Sequence, residues 1–164
     1  MPAWLRSRSV LSLCSLLALA AGCAGVEPTP GVWEYDETGV STNTCNYDDV
    51  ISNGGGLFEL IADGDGYMIQ PNDGTPPFRC TLEGDALDCP DRAAVEQPIA
   101  GLDATLVIAV VARATVESES ELSGTQTGEV SCVGSGCATA AAAVGAQLPC
   151  QFAVDFQARL QSAD

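Results

Sequence analysis

From residue 31 onward the chain runs in short stretches of alternating apolar and polar residues, broken by Gly, Asp, Asn and Pro. Alternation at period two places successive side chains on opposite faces of a strand, so the pattern predicts an all-β domain built as an antiparallel meander. Residues 31–36 (Gly-Val-Trp-Glu-Tyr-Asp) alternate apolar and acidic. Residues 57–62 and 67–69 flank Asp63-Gly64-Asp65-Gly66, a hairpin turn. Residues 104–116 are rich in Val and Ile, and Ser118-Glu119-Ser120-Glu121 turns them back into residues 122–133. Ala and Leu in residues 102–116 would also suit a helix, but the β-branched content and the lack of a polar stripe at period 3.6 favour strand. In residues 150–160, Phe152, Val154, Phe156, Ala158 and Leu160 share one face; Gln151, Asp155, Gln157 and Arg159 share the other.

Residues 78–89 carry the most specific local expectation. A two-residue turn at Gly84-Asp85 pairs Glu83 with Ala86, Leu82 with Leu87, Thr81 with Asp88 and Cys80 with Cys89. Phe78, Cys80, Leu82, Leu87 and Cys89 then lie on one face, and Arg79, Thr81, Glu83 and Asp88 on the other. The pair closing a two-residue hairpin is hydrogen-bonded, which makes Cys80 and Cys89 a non-hydrogen-bonded pair with Cα atoms ~4.5 to 5.5 Å apart, within disulfide reach. Two regions break the strand pattern. The alanine-rich residues 137–146 predict a short helix, ended near Gly145 and blocked by Pro149. Residues 48–52 suit one helical turn before the loop Asn53-Gly54-Gly55-Gly56. No internal repeat is present.

The N-terminus differs in kind. Arg6 and Arg8 form a positive stretch, and residues 10–21 are apolar but too short for a spanning helix of ~20 residues. Small residues Ala21 and Gly22 then precede Cys23. Residues 4–23 resemble a bacterial lipoprotein signal with its lipobox, although Ala20 stands where Leu is most usual and Leu19 is one place earlier. The resemblance implies that Cys23 is diacylated on sulfur and becomes the new N-terminus, anchored to the membrane of the bacterial cell envelope. In bacteria with two membranes, Asp after the cysteine commonly marks inner-membrane retention. Ala24 is there instead, which points to the outer membrane. The alternative is an ordinary secretory signal cleaved after Ala21 or Gly22. The expected organisation is a signal peptide over residues 1–22, a lipidated Cys23 with an extended tether over 23–30, and one β-rich domain over 31–164.

Removing the signal leaves Arg79, Arg92, Arg113 and Arg159 against 22 acidic residues, a charge of about −18, with no lysine in the chain. Such a surface repels nucleic acid and anionic membranes and suits a cationic partner, unless its acidity serves only to keep an exported protein in solution. Six cysteines follow the tether: Cys45, Cys80, Cys89, Cys132, Cys137 and Cys150. An even count in an exported domain predicts three disulfides. Fifteen pairings are possible; beside Cys80–Cys89, one of them has Cys132 and Cys137 closing a small glycine loop on itself, which would leave Cys45 to pair with Cys150. A zinc site would favour close cysteine pairs with histidine companions, and the chain contains no His.

Without His or Lys there is no Ser-His-Asp or Cys-His pair and no lysine base. Carboxylate pairs such as Asp48 with Asp49, or Asp63 with Asp65, occupy polar, turn-like segments where nothing raises a pKa for acid catalysis. Asp63-Gly64-Asp65-Gly66-Tyr67 fails the calcium-loop spacing. No catalytic residue, cofactor or metal is therefore expected.

Gly31-Val32-Trp33 resembles the Gly-x-Trp that opens the first strand of lipocalins and related small barrels. The resemblance implies an eight-stranded disulfide-stapled barrel in which Trp33 closes one end and the interior holds a small apolar ligand; a β-sandwich with Trp33 in its core is the competing architecture. Small inward side chains of residues 104–116, with Gly124 and Gly128 opposite, would leave room for a ligand. The expected function is a non-enzymatic, lipid-anchored binder of a small apolar molecule, or else a structural or protein-interaction module with an acidic surface. A third candidate is a carboxylate enzyme.

Overall fold

The computed structural model describes residues 25–46, 55–90 and 92–163. The expected helical turn at residues 48–52, the carboxylate pair Asp48 and Asp49, and Cys23 lie outside the described residues. The rest forms an antiparallel barrel, which decides between barrel and sandwich. The strands are β1 (Gly31–Asn43), β2 (Gly55–Asp63), β3 (Gly66–Pro71), β4 (Phe78–Glu83), β5 (Ala86–Cys89), β6 (Val95–Pro98), β7 (Thr105–Ser118), β8 (Glu121–Val133) and β9 (Cys150–Ala163). The sheet runs β5-β4-β3-β2-β1-β9-β8-β7-β6, and β5 also pairs with β7, so eight strands close on themselves. β7 serves two partners along one edge. Its first half pairs with β6, Val95 opposite Ile108 through Pro98 opposite Thr105, and its second half with β5, Ala86 opposite Thr115 through Cys89 opposite Ala112. Closure removes the open edges that a meander of this length would otherwise expose.

The local sequence explains the elements. Gly64-Asp65 and Gly84-Asp85 form the two-residue turns, with Gly84 in the left-handed region at φ 67°. The hairpin at residues 78–89 has the expected register. Phe78, Cys80, Leu87 and Cys89 are buried, while Arg79, Thr81 and Glu83 are exposed. In β9 the expected apolar face is buried at Phe152, Val154, Phe156 and Ala158, and Ala153 is buried on the opposite face. Helix α1 (Cys137–Val144) ends at Gly145 in the left-handed conformation.

All three expected disulfides are present: Cys80–Cys89, Cys132–Cys137 and Cys45–Cys150. The Cys80 and Cys89 Cα atoms are 4.1 Å apart, slightly closer than expected for the hairpin pair. Cys45–Cys150 ties the exit of β1 to the start of β9, where Thr44 N–H also donates to the Gln151 carbonyl at 2.9 Å.

The two ends of the barrel differ. At one end gather the turns after β2, β4 and β7, the start of β1 and the finish of β9, with Gly31 opposite Leu60 and Ala163. Trp33, Leu60 and Leu87 are almost completely buried, and Val116, Leu122 and Ala158 belong to the same cluster. We call this end the base. The segment expected as an extended tether has contacts of its own here. Residues 25–30 have no regular secondary structure, yet they pack across the base. Pro28 is fully buried. The Trp33 indole N–H donates to the Thr29 carbonyl at 3.0 Å, and Thr29 N–H donates to the Glu119 carbonyl at 2.9 Å. Gly25 lies so close to Gly84 that a Cβ would fall 1.9 Å from its carbonyl oxygen. Two prolines keep this segment out of helix and strand, and the apolar base gives it a surface to cover.

Candidate functional site

A cavity of about 570 Å³ occupies the lumen and opens at the end opposite the base. Its walls are the inward positions of the strands: Phe58 of β2, Ile69 of β3, Phe78 of β4, Leu87 of β5, Ala112 and Ala114 of β7, Leu122 of β8 and Phe156 of β9. The deepest reach is marked by Leu122 and Ala114, which face each other's strands near the base-end turn of β7 and β8. The rim is formed by Gly55, Gly56, Asn72, Asp73, Thr75 and Arg92. Leu57, at the rim, is 47% exposed. Cavities of this volume with apolar walls and a few polar groups are the size of ordinary small-molecule sites.

The small residues expected to open the lumen divide into two kinds. Ala112 and Ala114 do line the cavity. Gly124 and Gly128 do not provide empty space. Gly124 pairs with Phe156 and Gly128 with Phe152 across β8 and β9; the Phe152 ring fills the side-chain position of Gly128, and the Arg113–Ala114 backbone with the Phe156 ring fills that of Gly124. A Cβ at Gly128 would lie 2.1 Å from Phe152 Cζ, and one at Gly124 would lie 2.8 Å from Phe156 Cζ. The glycines let the two rings lie back against the wall.

Four polar groups carry the chemistry of the site. Tyr35 and Glu37 face inward from β1, and the Tyr35 hydroxyl donates to Glu37 Oε1 at 3.3 Å. Burial chiefly, with the Glu37 charge and this hydrogen bond, pushes the Tyr35 phenol well above its ordinary range. Gln126 faces inward from β8. Arg92, just after β5, lies at the rim. Its Nη1–H donates to Thr75 Oγ1 at 3.0 Å, and its guanidinium stacks 4.7 Å from the centre of the Phe78 ring. Thr75 in turn donates to Asp73 Oδ1 from its hydroxyl at 2.7 Å and from its backbone N–H at 2.9 Å. These hydrogen bonds hold the Asp73 carboxyl below its ordinary range. Burial lowers the Arg92 guanidinium, with the Asp73 charge opposing it.

Arg92 is set apart from the other arginines of the domain. Arg79, Arg113 and Arg159 lie on the outer surface in exposed ion pairs with Asp63, Asp88 and Glu121. Arg92 alone of the four lines the cavity. Sequence reasoning did not single out Tyr35, Glu37 or Arg92. The period-two pattern starting at Trp33 does place Tyr35 and Glu37 inward, whereas Arg92 follows Pro90 in a loop with no periodic signal.

The six cysteines are spent as disulfides. Cys45, Cys80, Cys132, Cys137 and Cys150 stay out of the lumen lining; Cys89 contributes to it. Asp63 precedes and Asp65 lies in the β2–β3 turn at the base, the end opposite the rim, and Asp63 pairs with Arg79. Comparison with protein-family models, curated proteins and solved structures finds no match.

Proposed function

We propose that the mature protein is a lipid-anchored, non-enzymatic component of the bacterial cell envelope, on the outer membrane, that holds a small apolar molecule in its barrel. The cavity of about 570 Å³ carries this reading, because a structural module would gain stability by filling that space. Apolar walls on seven strands favour a hydrocarbon-rich occupant, and the closed base gives it one way in. The signal-like residues 4–23 and Cys23 support the anchor. Two or three acyl chains make such an anchor stable where one would be marginal. The alternative of a protein-interaction module draws on the acidic surface and the exposed Leu57 of β2 and Val133 of β8, on strands that are not neighbours in the sheet.

Native mass spectrometry of the protein extracted from its own envelope tests the proposal. The expected spectrum shows the chain lighter by six hydrogens, heavier by the acyl groups on Cys23, and carrying an adduct lost on denaturation. A chain without acyl mass would refute the anchor. A chain that carries no adduct and takes up no added apolar compound would refute the binder.

A further inference from the structure

We propose that the rim is a head-group site: the Arg92 guanidinium donates through its Nη N–H groups to an oxygen acceptor, a carboxylate or an ester carbonyl, at one end of an otherwise apolar ligand. This rests on the reading of the barrel as a ligand carrier and narrows its ligand class. The Arg92 Nε is fully buried and has no hydrogen-bond partner. The Nε–H is thus closed off, and the half-buried guanidinium reaches the lumen through its Nη groups, of which Nη1 is engaged by Thr75. The guanidinium is also held in place before a ligand arrives. Asp73 orients Thr75, Thr75 accepts from Nη1, and the Phe78 ring supports the guanidinium plane. Glu37 and Asp73 also line the cavity and repel an anionic head, and Arg92 is the one cation among the lining residues to receive the acceptor. Apolar Phe58, Ile69, Leu87 and Leu122 take the chain below.

The test uses the mature lipidated protein in micelles, offered an equimolar mixture of dodecanoate, methyl dodecanoate, dodecylamine and dodecane, with adducts counted by native mass spectrometry. Partition into the micelle is common to all variants, so the change in adduct ratio between proteins isolates Arg92. The wild-type protein is expected to favour the two acceptor-headed probes about tenfold over amine and alkane, as one charge-assisted hydrogen bond allows. Arg92→Met keeps an apolar stem on Phe78 and is expected to level the four probes while still taking up dodecane. A wild-type protein that binds all four alike, or an Arg92→Met variant that keeps the preference, would overturn the proposal. Binding of dodecanoate well above the ester would assign the acceptor as an ionised carboxylate, and equal binding as a carbonyl oxygen. Failure of every probe would instead refute the carrier reading on which the inference rests.

A second observation independently points to an orientation. Residues 25–30 are fastened to the base, and only Ala24 separates Gly25 from Cys23, two residue steps with a reach of at most ~7 Å. If Cys23 carries the lipid, we infer that the barrel stands base-down on the bilayer with its rim facing the aqueous side, so that ligand enters from that side. Trp33 is the one tryptophan after residue 23 and lies at the base. Energy transfer from Trp33 to dansyl head groups in zwitterionic vesicles is expected to be strong. Zwitterionic lipid avoids repulsion from Asp65, Asp85 and Glu119 in the base turns. A membrane-bound protein with weak transfer, as a rim-down barrel ~25 Å tall would give, would overturn the orientation; a protein that does not bind vesicles would refute the anchor itself.

Discussion

The ring of Phe152 fills the side-chain position of Gly128, its cross-strand partner. The pair shows how this barrel combines large aromatics with an open lumen: the bulk is laid against a glycine instead of across the interior. Gly128→Val would force the Phe152 ring off this seat. Overpacking of this kind costs about 1–3 kcal/mol. Urea denaturation of the oxidised protein checks it. Phe152→Leu in the same chain should recover part of the loss, and simple additivity of the two substitutions would contradict the contact.

The disulfides should rank by the loop each closes. Cys45–Cys150 spans 105 residues, against 9 for Cys80–Cys89 and 5 for Cys132–Cys137. In the chain-entropy account these closures contribute about 4.7, 2.7 and 2.2 kcal/mol respectively. Paired Cys→Ala variants, compared by chemical denaturation, should lose stability in that order, and reductant should lower Tm markedly. A wild-type melting curve unchanged in reductant would contradict a stapled barrel.

Alkali should unfold the barrel. The phenols of Tyr35 and Tyr67 are both raised, each mainly by burial and secondarily by a neighbouring carboxylate, Glu37 and Glu27 respectively. A folded pKa above the unfolded one means the native state binds the proton longer. The stability is therefore whole below about pH 10 and falls as pH rises beyond it. Ultraviolet titration should show both phenols ionising later than a free tyrosine. Glu27→Gln should lower the Tyr67 midpoint while leaving Tyr35 in place; an unmoved Tyr67 would contradict the docking of residues 25–30. At the acid end, the lowered carboxyl of Asp73 reverses the sign: its contribution is present above about pH 4 and lost as pH falls through the folded value.

Much of the architecture is legible in the chain because it is local. Gly64-Asp65 and Gly84-Asp85 announce their turns, and the turn at Gly84 sets the register that brings Cys80 to Cys89. The face of β9 follows from its alternation. Closure is not local. The pairing of Leu87 with Ala114 joins strands separated by β6 and a loop, and period-two alternation reads the same in a barrel and a sandwich. The docking of Thr29 on Trp33 depends on a base that exists only after closure. Arg92 becomes a lumen residue for the same reason, since no short-range pattern ties it to Phe78 or Thr75. The expectation for Gly124 and Gly128 failed because a missing side chain was counted as space without regard to the ring on the neighbouring strand.

Trp33 is expected to be the largest single contributor at the base. It is fully buried, stacks with Phe58 at a centroid distance of 6.3 Å and secures Thr29 through its indole N–H. Trp33→Ala should cost about 3–5 kcal/mol. It should also make residues 25–30 sensitive to proteolysis in the still-folded protein, which a purely packing role confined to the lumen would not do.

Ala114→Phe tests the central claim most directly, because Ala114 is a half-buried wall residue deep in the cavity and away from the rim. Uptake of dodecanoate by the wild-type and variant proteins should be compared by native mass spectrometry, with Tm measured on both. A lumen that holds a ligand predicts loss of the adduct in the variant while the barrel stays folded. Undiminished uptake by a folded Ala114→Phe protein would contradict binding inside the barrel.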